Sequence, residues 1–463
     1  WIDWSPDELR ERADRLPGLH RLHGVAAGAA ARLDMALGRR WAAVSRLQRA
    51  WRYAGEARVN PTLVLQAEGL IRAACYRGSE LAPLAENGFV GEFLRSREAR
   101  ALRRFWDAVP LEHRVRLRKP RPEEDPERQG NLMALKSPDP SKGEKGVLLA
   151  MYSPTFPELV AVFDHARLFD RYRLVLEPST WGYQDPALLL YLGAEAEVVV
   201  LAQRREDYEY LLAHGRNLKP LRLGAGDWID PGQFRPAPRE GFDFDLVMVS
   251  AWDPVKRHHA LFEALRRLRD RHGRVLRAAL VGYPMRWRRE RIEAMMRRWG
   301  VAEQCTLFEL VPPSRVAEIV SRSAVSLLLS HREGANRAIY ESLFCDTPVL
   351  VPRHHIGVNL DHVNADTGLL FDDDALAPAL LAAIDGRGSF RPRAWALANT
   401  GWANSTRRLN SFLREMALGR GEPWTRDIAE RKNAPNLRYV RPGAYREFEA
   451  AHLGLEEYLR RGD

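Results

Sequence analysis

The chain has 463 residues, 45% of them hydrophobic and 29% charged, which suits a soluble globular protein of two to three domains with sizeable cores. No uninterrupted apolar run approaches a membrane span, and no secretory signal is visible. The cysteines Cys75, Cys305 and Cys345 lie far apart without metal-ligand spacing, so reduced cytoplasmic thiols are expected rather than a disulfide framework or a zinc site.

The balance is basic: 71 Lys and Arg against 61 Asp and Glu, a net charge of +10. That permits nucleic acid, an anionic membrane surface or an anionic substrate as partner. Much of the excess is arginine scattered over helix faces, as in Arg286-Trp-Arg-Arg-Glu-Arg291, which favours solvated faces over a binding patch. No nucleic-acid motif is present.

In chain order, residues 1–125 read as an N-terminal helical region. Ser5-Pro6-Asp7-Glu8 is a capping-box start, and Asn60-Pro61 starts another helix the same way. Val25 to Leu47, with Arg32, Arg39, Arg40 and Arg46, has the pattern of a basic amphipathic helix, and a core-facing helix is preferred to one lying on a membrane. Prolines between Lys119 and Lys145 mark a boundary, with a short strand at Leu132 to Leu135.

Residues 126–235 alternate strand and helix, the pattern of a parallel α/β layer. Strands are expected at Gly146 to Tyr152, Arg173 to Leu176, Glu197 to Leu201 and Leu221 to Leu223. Helices are expected at Glu158 to Phe169, Ala187 to Leu192 and Arg205 to Ala213. The loop from Glu177 to Pro186 carries Ser179, Trp181, Tyr183 and Asp185 at the carboxyl end of a strand, suited equally to touching a ligand and to packing.

Residues 236–425 form a second α/β unit. Strands are expected at Asp245 to Val249, Arg277 to Val281 and Cys305 to Phe308. The helix from Arg257 has Leu261, Leu265 and Leu268 on one face. Further helices run over Arg288 to Trp299, from Pro313 to Ser321, over Asp373 to Asp385 and over Arg391 to Gly421. Residues 426–463 are a tail ending in a helix from Ala444 to Arg460.

Within the second unit one stretch stands out, Ser330-His-Arg-Glu-Gly-Ala-Asn-Arg-Ala-Ile-Tyr-Glu-Ser-Leu-Phe-Cys-Asp-Thr-Pro-Val-Leu-Val351. It follows an apolar run expected to be a buried strand, Val325 to Leu329. Gly334, Ala335 and Asn336 lie where a helix should begin, and Val349 starts the next strand. A loop at the carboxyl end of a parallel strand is where open α/β sheets bind ligands. The free N–H groups of a helix start favour an anion. Glu333 and Glu341 would be about 12 Å apart along a helix, too far to share a proton but able to hold two parts of one ligand. Taken alone, Glu341 reads as a surface residue. Lys256, in Asp253-Pro-Val-Lys256, also follows a strand and opens a helix, placing an ammonium where a pyrophosphate would need charge compensation. His258-His259 and His354-His355 are each adjacent pairs, and neighbouring side chains point apart, so no metal site is expected.

Glu333, the seven residues after it, Glu341 and the following Thr347-Pro-Val resemble the donor site of retaining glycosyltransferases of family 4. Thr367-Gly-Leu-Leu resembles the strand that follows that site. Gly224-Ala-Gly-Asp-Trp-Ile-Asp-Pro-Gly-Gln-Phe-Arg-Pro236 resembles the interdomain segment of GT-B glycosyltransferases. The resemblance covers about Gly146 to Asp385. It implies a GT-B fold: two Rossmann-like domains facing a cleft, an acceptor side at 126–235 and a nucleotide-sugar donor side at 236–425, with C-terminal helices crossing back.

It also implies metal-independent transfer of a hexosyl or related group from a nucleotide-diphosphate sugar, with retention, to a glycan, lipid-linked or small-molecule acceptor, as in polysaccharide biosynthesis. No cofactor is implied. The location implied is cytoplasmic, with peripheral contact to the inner face of an anionic membrane permitted by the charge. Glu333 would bind the donor sugar's hydroxyls, and Gly334, Ala335 and Asn336 would present N–H groups to sugar and phosphate. Glu341 would bind the ribose, Lys256 the diphosphate. The loop at Lys256 departs from the family's Gly-Arg start, with Ser250 and Ala251 there and Arg257 in place of the final Gly, leaving Arg257 or Arg337 to supply the lost arginine. Tyr152-Ser-Pro-Thr-Phe156 stands where a Gly-rich loop is usual. The alternatives are another GT-B sugar-nucleotide reaction such as epimerisation, and a basic binding protein without catalysis.

Overall fold

A computed structural model describes residues 17–39, 42, 46, 125–152, 155, 156, 159, 163–178, 188, 191, 194, 196–214, 217–238, 240–331, 333, 334, 336–433 and 436–459. The chain divides into two compact units. One holds residues up to Gly224 together with Thr406–Arg431 and Asn436–Asp463, and the other Ala225–Ser405 with Lys432–Pro435. The end of the chain thus returns to the first unit. Among the described residues no helix is long and apolar enough to cross a membrane.

Of the N-terminal region the described part is helix α1, Pro17–Ala36, which stops before Gly38 at φ 70°. The expected helix starts at Ser5 and Asn60 lie outside the described residues. In the first unit, strands β1 (Leu132–Lys136), β2 (Gly146–Met151), β3 (Tyr172–Glu177), β4 (Val198–Leu201) and β5 (Leu218–Leu221) form one sheet in that order. β1 runs antiparallel to β2, and β2 to β5 are parallel. β2, β3 and β4 are buried along their whole length, as continuous apolar runs require. β5 lies three residues earlier than expected. Its Pro220 argues against a strand from sequence, but β5 is an edge, where proline is tolerated. Helices α2 (His165–Arg171) and α3 (Arg205–His214) connect the strands.

The returning segment is tied to the first unit by buried polar contacts. Arg431 pairs with Glu177, both side chains almost fully buried. Lys136 pairs with Glu144 and lies 3.4 Å from the centre of the Trp424 ring. Glu144 also accepts from the Thr425 amide at 2.8 Å. The helix expected over Ala444 to Arg460 is instead a 3-10 turn, Ala444–Phe448, then a short α-helix, Glu449–Gly454, then a second 3-10 turn, Leu455–Tyr458.

The second unit holds strands β6 (Phe244–Val249), β7 (Ala278–Gly282), β8 (Cys305–Glu309), β9 (Ser323–Leu327), β10 (Val349–Pro352) and β11 (Gly368–Phe371). Their order in the sheet is β11-β10-β9-β6-β7-β8, all parallel. The chain therefore moves outward from β6 through β7 to β8, then returns to the other side of β6 at β9 and continues outward. This is the Rossmann order, and its direction reverses between β6 and β9. Helices α4 (His258–His272), α5 (Arg289–Trp299) and α6 (Pro313–Ser321) cover the first half. Leu261, Leu265 and Leu268 of α4 are fully buried, each worth roughly 1.5–3 kcal/mol on transfer from water.

β9 starts two residues before its expected position, and the hydroxyls of Ser323 and Ser326 are satisfied inside the protein. Ser323 donates to the Ile319 carbonyl at 2.8 Å, and Ser326 accepts from Ser342 at 2.8 Å. After β11 comes α8 (Leu376–Asp385). The helix expected over Arg391 to Gly421 is two helices, α9 (Pro392–Asn399) and α10 (Trp402–Leu418). They break at Gly401, φ 87°, where a β-carbon would lie 2.9 Å from the Phe344 ring.

Candidate functional site

In an open α/β sheet the crevice lies at the carboxyl ends of the strands where their order reverses. Here those ends carry two loops, one after β6 and one after β9. In the first, the Asp253 carboxylate accepts from the Val255 amide at 3.1 Å and closes the 3-10 turn Pro254–Lys256. Arg257 follows in the left-handed region, φ 58°, and α4 begins. Lys256 therefore stands at the turn just before a helix. In the second, Leu328 to Arg337 lead into α7, Ala338–Phe344.

The two loops meet through charge. Lys256 Nζ donates to Glu333 Oε1 at 2.5 Å, across 77 residues of sequence. Ser330 Oγ donates to the same oxygen at 2.6 Å, and Asn336 Nδ2 donates to Oε2 at 2.7 Å. The side chains of Lys256 and Glu333 are 19% and 10% exposed, buried enough to couple strongly yet open to a ligand. Burial by itself would raise the Glu333 carboxyl. The charge and hydrogen bond of Lys256, the Ser330 hydroxyl and nearby His355 outweigh it and hold the group below the usual carboxylate range.

The helix starts later than expected, at Ala338 rather than beside Gly334. Asn336 explains the delay, because its Oδ1 accepts from the Ile339 amide at 3.0 Å while its Nδ2 holds Glu333. Only Glu341 lies on α7, so the separation calculated along one helix does not apply to this pair. Burial pushes the Glu341 carboxyl up, against the charge of Arg337 one turn earlier. The Arg337 guanidinium donates to the Asn433 carbonyl at 3.2 Å. Gly334 is half-buried in the loop. Arg257 is turned inward, donating to the Leu329 carbonyl at 2.8 Å and to Asp373 at 2.9 Å. Ala335 lies outside the described residues, as do Ser179, Trp181, Tyr183 and Asp185.

Several residues around Glu333 were not singled out from sequence. The Glu333 amide donates to the Ile356 carbonyl at 2.9 Å, and the Ile356 amide to the His331 carbonyl at 2.8 Å. Ser330 Oγ is 3.5 Å from His355 Nε2. Gly357, φ 112°, lies against the loop so closely that a β-carbon would stand 1.6 Å from the Glu333 carbonyl oxygen. Gly357→Ala is therefore expected to cost about 2 kcal/mol or more and to disturb Glu333, because both backbone and space refuse it. Thermal unfolding measures this, and an unchanged midpoint would show that the loop yields freely. The sequence signal for Gly357 was a lone glycine after two histidines, which names no partner.

Of the two histidine pairs, only His354-His355 divides between surface and interior. His258 and His259 are buried, and burial together with Lys256 pushes His258 down to about 3, so it is neutral. His354 lies outside, 3.4 Å from Asp372, whereas His355 is buried against Ser330. Among the described residues no group of three or more His, Cys, Asp or Glu is arranged to hold a metal ion.

Residues 233–389 match the family of glycosyl transferases group 1. The match lies within the second unit and contains Lys256, Glu333 and Glu341. No curated protein matches the chain. Among solved structures, sucrose-phosphate synthase from Thermosynechococcus elongatus is similar at 16% identity and a TM-score of 0.46, over 59% of this chain and 74% of that one. Anabaena HepE in complex with UDP is similar at 15% identity and a TM-score of 0.46, over 57% and 78%. The lipopolysaccharide outer core galactosyltransferase WaaB, in its apo form, is similar at 13% identity and a TM-score of 0.44, over 60% and 76%.

Proposed function

We propose that this protein transfers a sugar from a nucleotide-diphosphate sugar to an acceptor, with retention of anomeric configuration and without a divalent ion. The observation that carries the reading is the pairing of Lys256 with Glu333 where the strand order of the second unit reverses. Lys256 has three N–H donors and gives one to Glu333, so others remain for a diphosphate. As the bond from sugar to phosphate breaks, negative charge grows on the leaving diphosphate, and a fixed ammonium stabilises it. Glu333 keeps lone pairs for the donor sugar's hydroxyls and is held still by Ser330 and Asn336. Gly334 stands in the same loop, and Glu341, with Arg337 beside it, takes the ribose. The acceptor is a glycan, a glycolipid or another small molecule.

A panel of nucleotide sugars screened for protection against thermal unfolding tests this. A ligand at a hundred times its Kd should stabilise by about 2.7 kcal/mol. Protection by none of them, with no nucleoside diphosphate bound in calorimetry, would remove the reading. Transfer should also survive a chelator, and activity lost in chelator and restored by magnesium or manganese would refute metal independence.

A further inference from the structure

Three loops of the second unit converge on one arginine. Arg257 immediately follows Lys256. Its Nη1 donates to the Leu329 carbonyl at 2.8 Å, one residue before the Ser330 that holds Glu333, and to Asp373 Oδ1 at 2.9 Å. Asp373 opens the 3-10 turn after β11, at the far edge of the sheet. Its other oxygen, Oδ2, accepts from His331 Nε2 at 2.7 Å, back on the loop after β9. Arg257 is only 2% exposed and stands at φ 58°, a conformation that a β-carbon disfavours. The strained backbone and the buried guanidinium thus coincide in one residue.

We propose that Arg257, Asp373 and His331 form a clamp that positions Lys256 against Glu333, joining the loops after β6, β9 and β11 at their carboxyl ends. Its catalytic consequence rests on the transfer reading above. Its mechanical consequence does not. Arg257 acts through its neighbours and is a positioning residue, since its guanidinium is engaged by the Leu329 carbonyl and Asp373. Both bonds leave one nitrogen, Nη1, whose two N–H groups are fixed in the guanidinium plane, so the directions to the two acceptors are set together.

Hydrogen exchange on the ligand-free full chain tests the clamp directly. In Asp373→Asn, the amides of Lys256 to His258 and of Leu329 to His331 and Glu333 should exchange about tenfold faster, the effect of one lost charge-assisted hydrogen bond on local opening. Amides within β6 and β7 should keep wild-type rates. Arg257→Lys should show the same local pattern, weaker because the charge remains. With a nucleotide sugar that the wild type turns over, Asp373→Asn should lower kcat about tenfold or more and change KM less than about threefold, the signature of lost geometry.

Unchanged exchange at the loop amides, or a rise shared equally by the strand amides, overturns the clamp. So does a kinetic loss confined to KM. A wild type that turns over no nucleotide sugar sinks the transfer reading, and the exchange rates still decide the clamp.

Discussion

Glu333→Gln is expected to lower turnover by about 10²–10³-fold, the usual effect of removing one preorganised electrostatic partner of a transition state. The purified variant should remain folded. Glu333 sits in a loop, and glutamine has nearly its shape. The substitution still carries a definable cost. A glutamine oxygen turned toward Lys256 and Ser330 leaves its amide facing Asn336 Nδ2, which now donates to Glu333. Asn336 cannot easily flip, since its Oδ1 caps the Ile339 amide. One donor is left against another, for about 1–3 kcal/mol. In a unit of this size that lowers the unfolding midpoint by several degrees. Turnover by the folded variant close to that of the wild type would exclude Glu333 from the chemistry.

Lys256→Ala should weaken binding of a nucleoside diphosphate by roughly ten- to a hundredfold, since a charge-assisted hydrogen bond is worth about 1.5–3 kcal/mol. It should weaken the bare nucleoside far less. Equal losses in both would make Lys256 a support for its loop, not a phosphate ligand. The same variant should change how the protein responds to pH. In the wild type the Glu333 carboxyl is held below its ordinary value, chiefly against burial, by Lys256. The unfolded chain therefore binds more protons below the ordinary carboxylate value. The stability from Glu333 is present above that value and is lost as pH falls through the folded one. Without Lys256, burial prevails and the carboxyl rises. The acid limb of the rate profile should move to higher pH, and the variant should lose stability as pH climbs past the ordinary carboxylate value. A profile that keeps its acid limb in place would show that another group sets the charge of Glu333.

Both effects depend on contacts that local sequence patterns do not report. Helix α6 was expected from Pro313 to Ser321 and is found there, because proline at the start and the apolar spacing after it act within one or two turns. Leu261, Leu265 and Leu268 were legible for the same reason. The long apolar runs of β2 and β4 announced buried parallel strands. Errors fell where a distant neighbour decides. β5 carries a proline that only an edge position tolerates, and whether a strand is an edge depends on the other four. Gly401, at φ 87°, separates α9 from α10, and Phe344, far away in sequence, leaves no room there for a β-carbon.

The candidate site divides along the same line. Sequence by itself determined that the chain is α/β, that Glu333 and Lys256 each stand between a strand and a helix, and that the motif around Glu333 resembles a donor site. These follow from residue type and short spacing, which act over a few residues. Only the tertiary structure decided that Lys256 and Glu333 touch and that Arg257 faces Asp373. Those outcomes follow from the sheet order β11-β10-β9-β6-β7-β8, which sets β6 beside β9 and brings residues 77 apart within 2.5 Å. Strand order is chosen by the packing of whole faces against one another, and no short window of sequence carries it.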